Sequence, residues 1–338
     1  MWTEAKLNEM LTTPSEILIE DIKKIDGDIT VLGAGGKMGP TLCVLAKNAV
    51  KAAGVQKRVI AVSRFTDSEV KNYLEENDVE VVCADLLDRA QLEKLELTKN
   101  VIFMAGRKFG TDGSEALTWA MNSTLPAFVA EKFKGTNMVV FSSGNIYPIV
   151  PLSSGGCSEE DRPVPVGEYA MSCLARERAF EHAANTYGTK VFIYRLNFAV
   201  DLRYGVLFDV AKKVLDGTPI SLATPCYNFI WQGSANEIAI RGLLHAQSPA
   251  FKMNVTGPET VSIRFVAERF GKMFGKTAVF ENEEGNNAYL NNAMKAMEIF
   301  GYPSVSAETL IKWQAEYILD GGKTLDKPTH FEERKGSY

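Results

Sequence analysis

The first two hundred residues alternate short, continuously apolar runs with segments whose apolar residues recur every three or four positions. The runs are DITVLGAG (28–35), RVIAVSRF (58–65), VEVVCADL (79–86), NVIFMAG (100–106), NMVVFSS (137–143) and TKVFIYRL (189–196). A strand with one face in water alternates apolar and polar residues. Runs this uniformly apolar fit strands covered on both faces. Between them lie helical patterns such as KMGPTLCVLAKNAVKAAG (37–54) and the more polar SEVKNYLEEN (68–77). This alternation predicts an α/β fold, a doubly wound parallel sheet with helices on both sides.

The pattern changes after about residue 200. SIRFVAERFGKMFG (262–275) and AETLIKWQAEYILDGG (307–322) read as amphipathic helices of a smaller, mostly helical C-terminal unit. The expected division is residues 1–26 as an N-terminal helical extension, 27–200 plus about 225–247 as the sheet domain, and 201–224 with 248–338 as the substrate domain. Ser15 before ILIEDIKKI marks a helix start in the extension. The Pro/Gly/Ser-rich segment 151–167 is a loop long enough to carry function.

LGAGGKMG (32–39) sits where a strand hands over to a helix. Gly33 allows a tight turn, Gly36 lets the backbone approach a pyrophosphate, and Gly39 lets helix and strand pack closely. The helix N-terminus stabilises the anion. The motif points to a dinucleotide, with Lys37, Met38 and the loop glycines as binding residues. An NAD site usually ends its second strand in Asp or Glu, which binds the ribose 2′-hydroxyl. Here Ser63 and Arg64 stand in that place and suit a 2′-phosphate. Lys37 adds further charge, so NADP is favoured over NAD. Asp85, after the third run, is placed to accept from the adenine amino group or to cap the helix beyond it.

The net charge of −5 gives no reason to expect nucleic acid or an anionic membrane as partner. The N-terminus lacks the pattern of a signal peptide. No run approaches the roughly 18 apolar residues of a membrane span. The cysteines, Cys43, Cys83, Cys157, Cys173 and Cys226, are scattered and suggest neither a zinc site nor a disulfide framework. A reducing cytoplasm is the expected setting.

Taken in order, several features resemble the extended short-chain dehydrogenase/reductases, the NAD-dependent epimerase/dehydratase branch with a Rossmann sheet. They are the glycine motif, Asp85-Leu86, MAGRKFG (104–110), Asn122, FSSGNIYP (141–148), and GEYAMSCLARERAF (167–180) with Glu177. The resemblance covers roughly residues 27–275. It implies Tyr169 as general acid/base, Ser143 as hydrogen-bond partner of the substrate oxygen, and Asn122 as a prop between helix and strand. It places Leu86, Ala105, Gly106 and Asn197 beside the cofactor and makes a homodimer an expectation.

One position departs from the family. Cys173, four residues after Tyr169, stands where the family has a lysine that binds the nicotinamide ribose and lowers the tyrosine pKa. A free phenol titrates near 10, and bringing it to about 7 takes about 4 kcal/mol of differential stabilisation. A neutral thiol supplies almost none of that, and a thiolate opposes it. Cys173 reads as a small apolar neighbour of the ribose. Arg107 or Lys108, in the loop after the fourth run, is the candidate replacement cation. The expected activity is oxidation or epimerisation at a hydroxyl of a carbohydrate-like small molecule. The alternative is a regulatory protein that kept the cofactor fold and lost turnover. The short stretch between Asn197 and YNFIWQG (227–233), taken as the next sheet strand, argues for a sugar or sugar acid rather than a nucleotide sugar. Asn145, Tyr147, Tyr204 and Trp231 are candidate substrate contacts by position. The tail KPTHFEERKGSY (327–338) is polar and could fold back over a site.

Overall fold

The computed structural model describes residues 1–325 and 329–337. Seven strands form one sheet: β1 (Ile29–Leu32), β2 (Val59–Ser63), β3 (Glu80–Cys83), β4 (Asn100–Phe103), β5 (Asn137–Ser143), β6 (Lys190–Leu196) and β7 (Phe251–Val255). Their order is β3-β2-β1-β4-β5-β6-β7, and every pairing is parallel. This is the doubly wound Rossmann sheet expected from the apolar runs. The order reverses between β1 and β4, so a crevice opens at the carboxyl ends of those strands.

Residues on neighbouring positions of each strand enter different cores. Val139 and Phe141 of β5 and Phe192 and Tyr194 of β6 face one core with Leu42, Leu45, Ala46 and Ala49 of helix α3 (Gly39–Ala52). Met138, Val140, Val191 and Ile193 face the other, with Val129 of helix Leu125–Lys132 and Phe180 of helix Gly167–Tyr187. Two-sided burial is the physical cause of the uninterrupted apolar runs of the inner strands, whereas β3, at the sheet edge, is only partly buried.

A third core holds the C-terminal unit together, built from helices Val206–Asp216, Ile263–Phe274 and Ala307–Leu319. The N-terminal helices are more than an extension. Helix α1 (Glu4–Thr12) buries Leu7 and Leu11 in this third core, beside Trp2. Helix α2 (Glu16–Lys24), capped by Ser15, buries Leu18 and Ile22 against the sheet's first core. Among the described residues, no helix is long and apolar enough to cross a membrane.

Two expectations are corrected. Segment 227–233 contributes no strand to the sheet. Cys226–Tyr227 pairs with Val261–Ser262, and Ile230–Trp231 pairs with Ala199–Val200, each as a two-residue ribbon. The next sheet strand is β7, whose residues the expected division had given to the substrate domain. FKMNV carries Lys252, which pairs with Glu181, and Asn254, which is fully buried and hydrogen-bonded to Tyr147, Cys157 and Asn292, and so lacks the apolar signature of the others.

A buried ion pair ties the long helix Gly167–Tyr187 to the sheet. Arg195 of β6 donates from Nε and Nη2 to the two carboxylate oxygens of Glu177, at 2.9 and 2.8 Å. Ser142 of β5 donates to the same carboxylate at 2.6 Å. Arg195 Nη1 donates to Tyr147 Oη at 2.5 Å, and that hydroxyl donates to Asn254 Oδ1 of β7 at 3.0 Å. Removing one member leaves the other charged and buried, which costs about 3–5 kcal/mol. Glu177→Gln should therefore lower the unfolding free energy by about that much in urea titrations. An unchanged midpoint would show that the pair does not hold helix to sheet.

Candidate active site

The glycine loop is built for a close neighbour. Gly33 has φ +90°, and the N–H groups of Gly33 and Ala34 donate to Val62 O at 2.9 and 3.1 Å. A Cβ at Gly33 would lie 2.5 Å from Ala105 N, so the loop after β4 packs directly on this turn. A Cβ at Gly39 would run into the Ala34 carbonyl, which makes this glycine a packing residue. A Cβ at Gly36 would meet only Gly33 O, at 3.5 Å. Its open side is where a larger residue would fill the crevice. Helix α3 begins without a side-chain cap at Met38, leaving its first-turn N–H groups for another acceptor. A dinucleotide diphosphate fits this cradle.

Two clefts meet over the loop and share Gly33, Gly36, Met104 and Gly106. The larger, about 410 Å³, is lined by Ser63, Arg64, Asp85, Leu86, Ala105 and Arg107. Arg64 is exposed at its edge. Asp85 accepts from Leu87 N at 3.0 Å, while Asp88 is the residue that caps helix Arg89–Glu93. The Arg107 guanidinium donates to Gly110 O at 2.6 Å. Arg107 lines only this cleft, which removes it as the cation beside Tyr169.

The smaller cleft, about 320 Å³, brings together Lys37, Met38, Lys108, Ser143, Asn145, Tyr169, Asn197 and Tyr204. Ser143 ends β5, and its hydroxyl is a hydrogen-bond partner of the Tyr169 phenol. Ser143 Oγ also donates to Asn145 Oδ1 at 3.1 Å. Burial pushes the phenol well above its ordinary range and neighbouring Cys173 adds to this, against opposing effects from Ser143 and Arg176. At neutral pH Tyr169 is therefore a protonated phenol. Lys108 Nζ lies 5.6 Å from the Tyr169 ring centroid. Burial lowers its pKa to about 8, partly offset by Cys173.

Asn122 stands behind the cleft, fully buried. It accepts from Arg107 N at 2.8 Å and from Arg176 Nη2 at 2.7 Å, and donates to Arg107 O and Ser172 Oγ. It thus joins the loop after β4 to the Tyr169 helix. Arg176, absent from the sequence candidates, also donates to Phe141 O at 2.7 Å. Its place seven residues after Tyr169, on the same helix face, was the available signal.

Three candidates lie elsewhere. Tyr147 is 1% exposed and spends its hydroxyl on Arg195 and Asn254. Trp231 packs edge-on against Trp313, 5.7 Å between centroids, away from both clefts. Cys173 is fully buried with Ile146, Tyr147 and Cys157 and reaches neither cleft, so it does not touch a ribose there. Lys37 also differs from expectation. It reaches across the smaller cleft, away from Arg64, donates to Ala199 O at 3.3 Å and sits 3.5 Å over the Tyr204 ring.

The described part of the tail folds back over this cleft. Thr329 lines it, and its N–H donates to Asp209 at 2.8 Å. Arg334 donates to Ala223 O at 2.9 Å, and Gly336 packs against Gly167 at the start of the Tyr169 helix. Of the segment 327–338, Lys327, Pro328 and Tyr338 lie outside the described residues.

The sheet order and the paired clefts over a glycine loop define a Rossmann-type α/β protein. Residues 29–224, more than half of the chain, match the NAD dependent epimerase/dehydratase family, and the chain belongs to that family. No curated protein matches it significantly in sequence. Solved structures do resemble it. UDP-glucose 4-epimerase from Thermus thermophilus, in complex with NAD, is 19% identical over 86% of this chain and 99% of its own, with a TM-score of 0.68. UDP-glucuronic acid 4-epimerase from Bacillus cereus, also with NAD, is 19% identical over 86% and 96%, with a TM-score of 0.68. Pal from Bacillus thuringiensis is 18% identical over 87% and 99%, with a TM-score of 0.69. The UDP-sugars in two of these names run against the expectation that a nucleotide sugar is excluded. A short segment after Asn197 does not carry that exclusion.

Burial lifts the Cys173 thiol above its ordinary pKa, whereas Cys83 is exposed. Native protein treated with iodoacetamide should be modified at Cys83 and spared at Cys173, read by peptide mass spectrometry. Rapid labelling of Cys173 would overturn its placement as an inert core residue.

Proposed function

We propose that the protein is an NADP-preferring oxidoreductase or epimerase acting on a hydroxyl-bearing carbon of a carbohydrate-like small molecule. The observation that carries this reading is one cleft holding Tyr169, Ser143 and Lys108 and opening onto the glycine loop. Gly33, Gly36 and the start of α3 would hold the diphosphate, and Ser63 with Arg64 the adenosine ribose. Asp85, Leu86 and Ala105 would border the adenine. The bound dinucleotide supplies a hydride acceptor and a positively charged ring.

Ser143 and Asn145 orient the substrate oxygen, and Tyr169 takes the hydroxyl proton in oxidation and returns it in reduction. Lys108 supplies the positive charge that the family's helix lysine gives elsewhere. The protonated resting state of Tyr169 has a definite sign. Oxidation, which needs the phenolate, should accelerate as pH rises, while reduction, which needs the phenol, should not.

Tyr169→Phe should abolish turnover, a loss of about 100-fold or more, with cofactor affinity unchanged. Retained turnover would remove Tyr169 from the chemistry. Lys108→Met should move the rising limb of the oxidation profile to higher pH, whereas an unmoved limb would leave Lys108 no part in tuning Tyr169. Arg64→Ala should weaken NADP about tenfold or more and leave NAD unchanged in fluorescence titrations. Equal losses for both would argue against a 2′-phosphate contact.

The second reading, a cofactor-binding protein without turnover, is favoured by one observation. The raised phenol pKa has no lysine on its own helix to counter it. Cofactor binding with no turnover across substrates and pH would support it.

A further inference from the structure

Residues 329–337 cross from the C-terminal unit to the helix that carries Tyr169. One end is latched. Thr329 lines the Tyr169 cleft, and its N–H and hydroxyl both donate to the Asp209 carboxylate on helix Val206–Asp216. Phe331 is buried and packs edge-on against Tyr227, 6.2 Å between centroids. Lys213 donates to both carboxylate oxygens of Glu332, at 2.7 and 2.8 Å. Arg334 Nη1 donates to Ala223 O, Thr224 Oγ1 and Asn287 O at 2.9, 3.3 and 3.2 Å.

The other end is a crossing of two backbones. Gly336 and Gly167 have φ of +82° and +80°, both left-handed. A Cβ on Gly336 would run into Val166 O, and one on Gly167 would run into Gly336 O. Only a residue without a side chain fits either place. Gly167 is the first residue of its helix and stands two before Tyr169. Near the latch, the His330 ring lies 5.7 Å from that of Phe109, the neighbour of Lys108. The segment thus touches the loop of Lys108, the helix of Tyr169 and the helix of Asp209.

Two features mark this closure as one that opens. First, residues 329–337 belong to no helix or strand. Side chains hold them, with Phe331 as the one large apolar anchor. Segments held this way open at low free energy. Second, the cleft is small, about 320 Å³, and ligand pockets run from roughly 300 to 1,000 Å³. On the oxidoreductase reading above, it has to take the nicotinamide end of the cofactor and a substrate together.

Resting on that reading, we propose that residues 329–337 form a strap that opens to admit ligand to the Tyr169 cleft. It closes by docking Thr329 on Asp209 and Gly336 on Gly167. Closing also braces Phe109 beside Lys108, so the cleft is shut and its loop steadied in one movement.

The test is acetylation of the ligand-free protein with N-hydroxysuccinimidyl acetate, read by peptide mass spectrometry. Lys37 lines the cleft, and Asp209 is near enough to act on its charge, so its ammonium reports on the latch. Lys24, 63% exposed, is the reference. Arg334→Ala removes a side-chain anchor, and Gly336→Ala forbids the crossing. Neither residue lines the cleft. Each should raise labelling of Lys37 relative to Lys24, and the double variant by about tenfold. Cys173 should stay closed to iodoacetamide in all three. Lys37 labelling unchanged in every variant would overturn the proposal. A rise matched by labelling of Cys173 would make the segment part of the packed fold, and would overturn it too. If Lys37 labelling rises as expected but NADP does not bind, the strap is retained and the oxidoreductase reading is what fails.

Discussion

The Arg195–Glu177 pair is the constraint on which the site's geometry depends. Glu177 lies eight residues beyond Tyr169, about two turns along the helix. The same carboxylate takes a hydrogen bond from Ser142, the neighbour of Ser143, and its partner Arg195 stands two residues before Asn197. One buried pair therefore fixes the tyrosine, the serine and the end of β6 relative to each other. Asn122 and Arg176 do the same for the loop carrying Lys108. The reactive groups are held by buried, hydrogen-bonded partners, as a preorganised site requires.

Against that rigid frame, the electrostatics of the cleft are unusual. The helix position that would lower the tyrosine pKa has been given to the packing cluster around Ile146 and Tyr147, and positive charge enters from loops instead. Lys108 comes from the loop after β4 and Lys37 from the glycine loop. Loop cations move more easily than a helix lysine.

Much of the fold was legible because two-sided burial writes itself into sequence as uninterrupted apolar runs. β7 was missed because Lys252 and Asn254, whose partners Glu181, Tyr147, Cys157 and Asn292 are distant in sequence, interrupt its apolar pattern. The two-residue ribbons around 226–231 are too short to show any period. The glycine loop was legible because turn, close approach and helix start each demand a residue type. Tyr147 and Trp231 misled for a shared reason. An aromatic residue with a polar atom looks alike in a pocket or a core until its partner is known. Those partners, Asn254 and Trp313, lie more than eighty residues away in the chain. Arg107 and Lys108 were indistinguishable by position. Side-chain direction separates them, sending one toward Gly110 and the other toward Tyr169.

Every role proposed for the cleft depends on a nicotinamide dinucleotide lying across the glycine loop. The most direct test is to denature freshly purified protein and identify released nucleotide by chromatography and absorbance, then titrate the refilled or empty protein with NADP and NAD. One dinucleotide per chain is expected, either released on denaturation or bound on titration. A protein that releases none and binds neither at millimolar concentration would contradict the claim.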